Sequence, residues 1–148
     1  MSGKGFKNPS LKIPLPDARS GASSIAISPD GSLLAIGFSY ETINLYSVPS
    51  GRMLYELPPP SGKSGLRGDY SSVTALKFSP DGQYLVSGYY STGFTVWNTK
   101  TGKLLQRIKV GQGIGVASET VSQIEFSPNG NLLFTDGDFK INIWKFQD

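Results

Sequence analysis

The chain has neither cysteine nor histidine among its 148 residues. The first absence removes disulfides, thiolate metal ligands and thiol nucleophiles. The second removes imidazole ligands and the commonest general base. No metal or cofactor is implied, and no nucleophile–base pair is recognisable. Charge is sparse as well, with 17% charged residues and a net charge of +3. That bias is too weak for a committed nucleic-acid binder, which concentrates Lys and Arg on one face. So little charge is low for a lone monomer and points to surface covered by a partner. Met1–Pro9 is polar and Gly/Lys-rich, without an apolar run of signal-peptide or membrane length. The expectation is a flexible segment over residues 1–10 in a cytoplasmic protein without a membrane partner.

What the chain does have is turn chemistry. Gly (18) and Pro (10) are plentiful and aromatics reach 11%, which favours many short strands joined by turns. Ser28-Pro29-Asp30-Gly31 recurs as Ser79-Pro80-Asp81-Gly82 and again as Ser127-Pro128-Asn129-Gly130. Such a turn needs the positive φ that Gly adopts readily. Apolar stretches precede it at Ser24–Ile27, Val73–Phe78 and Val121–Phe126, and follow it at Leu33–Ile36, Tyr84–Ser87 and Leu132–Thr135. A third strand pattern ends each copy: Ile43–Tyr46, Phe94–Trp97 and Ile141–Trp144. The first two copies turn again at Ser50-Gly51-Arg52 and Thr101-Gly102-Lys103, then continue into fourth strands at Met53–Leu57 and Leu104–Lys109. Four short antiparallel strands in a repeat of 40 to 50 residues predict an all-β fold of three propeller blades.

Phe78-Ser79-Pro80-Asp81-Gly82, Leu85-Val86-Ser87-Gly88, Val96-Trp97-Asn98 and Thr101-Gly102-Lys103 resemble the WD-repeat signature in order and spacing. The resemblance covers about residues 11 to 148. It implies a β-propeller and a role in binding other proteins. It also implies, in each blade, a hydrogen-bonded set of His, Ser/Thr, Asp and Trp, which is only partial in a chain without His. The second blade keeps Ser87 and Trp97 but has Ser91 where the Asp belongs. The third keeps Thr135, Asp138 and Trp144, and the first has Ile36, Tyr40 and Tyr46 in those places. Blade one is therefore expected to rely on apolar packing, and blade three to hold the best polar network.

Three blades are too few for a ring, since propellers close with about 4–8. Two copies supply six, which predicts a two-fold homodimer. The phase of the strands fits this arrangement. Leu11-Lys12-Ile13-Pro14-Leu15 reads as an orphan fourth strand, and blade three has no fourth strand of its own before Asp148. In closed WD propellers the N-terminal strand completes the last blade. Leu11, Ile13 and Leu15 of one copy would accordingly clasp Ile141 and Ile143 of the other. The other reading is half of a longer or heteromeric propeller.

Binding residues are sought in the long connections, where a rigid scaffold carries its function. Pro58–Ser72 holds Lys63, Arg67, Asp69 and Tyr70, a Tyr/Arg mix of the kind enriched at interaction hot spots. Val110–Thr120 is the second long connection. Gly62-Lys63-Ser64 lacks the Gly that a phosphate-binding loop needs at position 57, which is Leu. Arg67-Gly68-Asp69 spells an integrin-type tripeptide without a secretion signal, and Leu66-Arg67 is a poor match to paired-Arg lipid sites. Tyr89 and Tyr90, with Phe38 and Tyr40 in blade one, fall at hairpins expected on the same face; they either anchor a peptide or fill space left by the missing His and Asp. Asp136 and Asp138 are the closest carboxylates, one expected to cap the hairpin turn. The function expected is a non-enzymatic protein- or peptide-binding scaffold. The alternative is an enzyme or small-ligand sensor using the central channel, for which the first strands offer Ser24, Thr74, Lys77, Ser122, Gln123 and Glu125.

Overall fold

The computed structural model describes residues 5–16, 21–40, 42–59, 72–90, 92–109, 120–137 and 139–146. These hold three antiparallel sheets. Blade one is β1 (Ala22–Ile27), β2 (Leu33–Phe38), β3 (Ile43–Ser47) and β4 (Met53–Leu57). Blade two is β5 (Val73–Phe78), β6 (Tyr84–Tyr89), β7 (Gly93–Asn98) and β8 (Leu104–Ile108). Blade three is β9 (Ile124–Phe126), β10 (Leu132–Gly137) and β11 (Lys140–Lys145), three strands among the described residues, in keeping with a blade that lacks its own fourth strand. The sheets lie side by side, with β5 touching both β1 and β9.

The repeated turn closes in the same way three times. Ser28 Oγ donates to Asp30 Oδ1 at 2.7 Å, Ser32 N donates to that oxygen at 2.9 Å, and Leu33 N donates to Ser28 Oγ at 2.9 Å. Ser79, Asp81, Gln83 and Tyr84 repeat the pattern, as do Ser127, Asn129, Asn131 and Leu132. Gly31, Gly82 and Gly130 follow at φ of 76°, 74° and 77°, a backbone open mainly to glycine. Hydrogen bonds hold Asp30 and Asp81 below free carboxylates. The hydroxyl and N–H of Ser32, with the Ser28 hydroxyl, lower Asp30 to a pKa of about 2, and Ser79 with Gln83 N lowers Asp81.

The core is the space between blades. Ala35, Ile43, Leu45 and Leu57 of blade one meet Val73, Leu76, Phe78, Leu85, Tyr89 and Trp97 of blade two. Val86 and Phe94 of blade two then meet Val121, Ile124 and Leu133 of blade three, with Trp144 packed edge-on to Phe94 at 5.3 Å between ring centroids. Two glycines set how closely blades approach. A β-carbon at Gly37 would lie 2.5 Å from Val73 Cγ1, and one at Gly88 would lie 2.5 Å from the Val121 carbonyl oxygen. The next blade's first strand occupies that space.

One expectation changes here. The first strand of blade three is shorter than Val121–Phe126, because Asp136 takes over the start of it. Its Oδ1 accepts from Ser122 N at 2.8 Å and Gln123 N at 2.9 Å, and its Oδ2 accepts from the Ser122 hydroxyl. Residues 11–15 form no strand within the single chain. Instead Ile13 packs on Ile36, Phe38 and Tyr46, over the face of blade one that looks away from blade two.

Candidate functional site

The hairpins joining the second and third strands of each blade share one rim. Within blade two Tyr90 N donates to Ser72 O at 2.9 Å, and Ser72 Oγ donates across to Ser39 O of blade one at 3.4 Å. The long connection that ends at Ser72 therefore emerges beside the hairpins of blades one and two. Lys63, Arg67, Asp69 and Tyr70 lie outside the described residues, as do Ser91, Asp138 and most of the Val110–Thr120 connection.

Each hairpin carries one exposed aromatic ring. Tyr40 in blade one is 47% exposed, Tyr90 in blade two 58%, and Phe139 in blade three 108%. Phe139 escapes a reading of the sequence, since a single aromatic in a tight turn has no periodicity to report it. It sits at φ 56°, a left-handed backbone that is uncommon for a side chain of this size. The structure thus leaves one exposed ring at each of the three hairpins where the sequence offered two pairs.

Half of those pairs turn inward. Phe38 is 4% exposed and Tyr89 is 1% exposed, so neither faces a partner. The Tyr89 hydroxyl instead joins a buried network. Trp97 Nε1 donates to Ser87 Oγ at 2.9 Å, Ser87 Oγ donates to the Tyr89 hydroxyl at 3.0 Å, and Thr95 Oγ1 bonds both. Tyr89 thus joins the buried bonds that hold Trp97 to its sheet. The strand's own alternation held this signal, because Leu85, Ser87 and Tyr89 point to one buried face.

The ranking expected for blade three turned on Asp138, which lies outside the described residues. Among the described residues blade two has the richest set. Blade three contributes the bond from Trp144 Nε1 to Thr135 Oγ1 at 2.9 Å, and blade one that from Asn44 Nδ2 to the Tyr46 hydroxyl at 3.3 Å.

The residues offered for channel chemistry are engaged in holding the blades. Ser24 Oγ donates to Val73 O at 3.5 Å and Thr74 Oγ1 to Val121 O, each tying one first strand to the next. Ser122 and Gln123 serve Asp136, and Asp138, the other carboxylate considered for capping the hairpin turn, lies outside the described residues. Burial alone would raise the pKa of Asp136, but the hydrogen bonds from Ser122 and Gln123 prevail and lower it. Lys77 and Glu125 form an ion pair at 3.4 Å with both side chains largely exposed, the kind of pair worth little. Among the described residues no three acidic side chains gather as a metal site.

A cleft of about 870 Å³ opens between blades two and three, lined by Val86, Ile108, Leu133, Trp144 and Gln106. Its counterpart between blades one and two is filled by Tyr55, which reaches across to donate its hydroxyl to Lys100 O at 2.5 Å. Gln106 occupies the position of Tyr55 in blade two and is too slender to fill it.

Comparison with known proteins agrees with this architecture. A family model described as the Vps8 beta-propeller matches residues 57–140, more than half of the chain. The meiotic recombination protein rec14 of Schizosaccharomyces pombe is 33% identical over 118 residues, covering 80% of this chain and 34% of that protein. A guanine nucleotide-binding protein subunit beta of Nicotiana tabacum is 28% identical over 126 residues, 84% of this chain and 32% of its own. The ciliary WD repeat-containing protein ctxp80 of Euplotoides octocarinatus is 25% identical over 152 aligned positions, with 88% and 20% covered. The chain spans a third or less of the length of most curated relatives it matches, such as 19% of a 66 kDa stress protein of Physarum polycephalum and 32% of the tobacco protein.

Proposed function

Because this chain belongs to the WD-repeat β-propeller family, we propose that it is a non-enzymatic scaffold docking a peptide or protein partner on its hairpin rim. The observation that carries this reading is the row of Tyr40, Tyr90 and Phe139, one exposed ring at the same hairpin of each blade. Aromatic rings on a rigid frame supply large contact area at low entropic cost, which is how interaction hot spots are built. The long connection ending at Ser72 emerges beside them and would add Lys63, Arg67, Asp69 and Tyr70 to the same surface. A relative named as a subunit of a larger assembly is in keeping with such a role.

The platform in this proposal is completed by a second copy. Ile25 and Ile27 on one end face are 67% and 55% exposed, and Ile141 and Ile143 on the other are 66% and 63% exposed. Apolar faces of this kind are seldom left open to water. A six-bladed ring of two chains covers both and presents the aromatic row twice.

Affinity capture tests the docking surface. Proteins recovered with the unaltered chain are compared with those recovered by a Tyr40→Ser, Tyr90→Ser, Phe139→Ser triple variant, and by a variant whose Pro58–Ser72 connection is shortened. The triple variant is expected to lose at least about tenfold of its specific partners. Equal recovery from all three chains would overturn the rim as the docking surface.

A further inference from the structure

The seam between blades two and three repeats the seam between blades one and two with one piece missing. In the first seam blade two presents Phe78, Leu85 and Trp97, which are 4%, 0% and 1% exposed. Tyr55, on the outer strand of blade one, packs against the cluster that holds them. Its hydroxyl crosses to Lys100 O, and a β-carbon at Gly102 would lie 3.0 Å from its ring. Blade three presents the same three residue types at the same positions, Phe126, Leu133 and Trp144. There Leu133 is 9% exposed, and Phe126 and Trp144 are each partly open to solvent.

The difference lies in what faces that wall. β4 pairs Tyr55 with Leu45, and β8 pairs Gln106 with Val96, so Gln106 stands where the ring would be. The cleft of about 870 Å³ that results is lined by Val86, Phe94, Leu133, Trp144, Gln106 and Lys145. Its size lies within the range of about 300–1,000 Å³ usual for ligand sites. Pro80 and Pro128 also line it, so it lies toward the repeated turns, at the strand ends opposite the hairpins that bear Tyr40, Tyr90 and Phe139. The strand beside the cleft is basic. Lys103, Arg107 and Lys109 are exposed in a stretch without an acidic residue, and Leu104 and Leu105 are 42% and 51% exposed between them. The one acidic side chain in the lining, Asp81, is already answered by the Ser79 hydroxyl and Gln83 N.

We infer that this cleft receives an aromatic side chain of a protein partner, borne on an acidic segment that follows the basic outer strand of blade two. Tyr55 shows the fit from within the same chain: a ring enters from an outer strand and packs on the Phe, Leu and Trp cluster of the next blade. The partner supplies from outside what Gln106 omits. Removing the ring from water drives the insertion, and acidic residues beside it meet Lys103, Arg107, Lys109 and Lys145. The site is separate from the hairpin rim, so either can fail without the other.

The probe is a blocked peptide, Glu-Glu-Tyr-Glu-Glu, added to the full chain, and the readout is the two indole N–H signals in the NMR spectrum. The Trp144 signal is expected to move, and the Trp97 signal, in the filled seam, to stay. Replacing the peptide's tyrosine with alanine is expected to weaken binding at least about tenfold. Replacing its glutamates with lysines is expected to weaken it at least about threefold at low salt. Gln106→Tyr fills the cleft from within; it is expected to abolish the shift and to reduce quenching of tryptophan fluorescence by acrylamide. Lys145→Glu, at an exposed position of β11, leaves the core alone and is expected to weaken binding at least about threefold. An unmoved Trp144 at millimolar peptide, equal movement of both indoles, a shift that survives Gln106→Tyr, or equal binding of the alanine peptide overturns the site. Binding that needs the ring but is indifferent to the glutamates and to Lys145→Glu keeps the cleft and overturns the acidic segment.

Discussion

Strand β7 of blade two and strand β11 of blade three carry the same pattern, Phe-Thr-Val-Trp in one and Ile-Asn-Ile-Trp in the other. In β7, Phe94 and Trp97 are each 1% exposed; in β11, Ile141 and Ile143 are exposed and Trp144 is half-buried. The residues are alike and the difference lies in the neighbours. Blade two has a blade on either side, whereas blade three has one. In a propeller, burial belongs to the seam rather than to the strand, and stability is close to a sum of contacts between adjacent units.

The largest expected contrast comes from removing the two indoles. Trp97→Ala deletes a fully buried ring and leaves Ser87 without its donor, which should cost about 3–5 kcal/mol. Trp144→Ala in the isolated chain should cost roughly half as much, since its ring is only partly removed from water. Urea denaturation of the two variants measures the difference, and equal losses would break the comparison.

A smaller effect tests the borrowed hydroxyl. Tyr89→Phe keeps the ring and removes only the oxygen that accepts from Ser87 and Thr95. The expected loss is about 1–2 kcal/mol, read from the shift in denaturation midpoint. Blade three has Gly137 at this position, so its network cannot be weakened in the same way.

The smallest contrast is in acid. Asp30 is held at a pKa of about 2 against an ordinary 3.8, so its stabilising effect is complete above 3.8 and is lost as the pH falls through about 2. Asp81 is lowered in the same sense. The third turn has Asn129, which does not titrate. Amide exchange measured at falling pH should show Ser32 N and Gln83 N losing protection while Asn131 N keeps it.

Much of this architecture was legible because it rests on short-range chemistry. Pro, Asp/Asn and Gly at fixed offsets specify the turns, and alternation places Leu85, Leu133, Trp97 and Trp144 on faces that pack. What escaped the sequence depends on neighbours that sequence order does not reveal. Tyr89 reads as a hairpin aromatic until its hydroxyl is found among Ser87 and Thr95. Asp136 reads as half of a carboxylate pair until it is found holding Ser122 and Gln123, at the position that Gly88 takes one blade earlier. The row of aromatic rings became complete only with Phe139, whose placement no period foretells.

The three Ser-Pro-Asp/Asn-Gly turns also bear on how the chain reaches its fold. Each joins strands five residues apart by hydrogen bonds that need nothing from the rest of the molecule. A hairpin of this kind closes in about 1–10 μs, far ahead of contacts between distant segments. The chain therefore carries three independent starting points for folding, one per blade. Blades can form locally and then find their neighbours, in whichever order they meet.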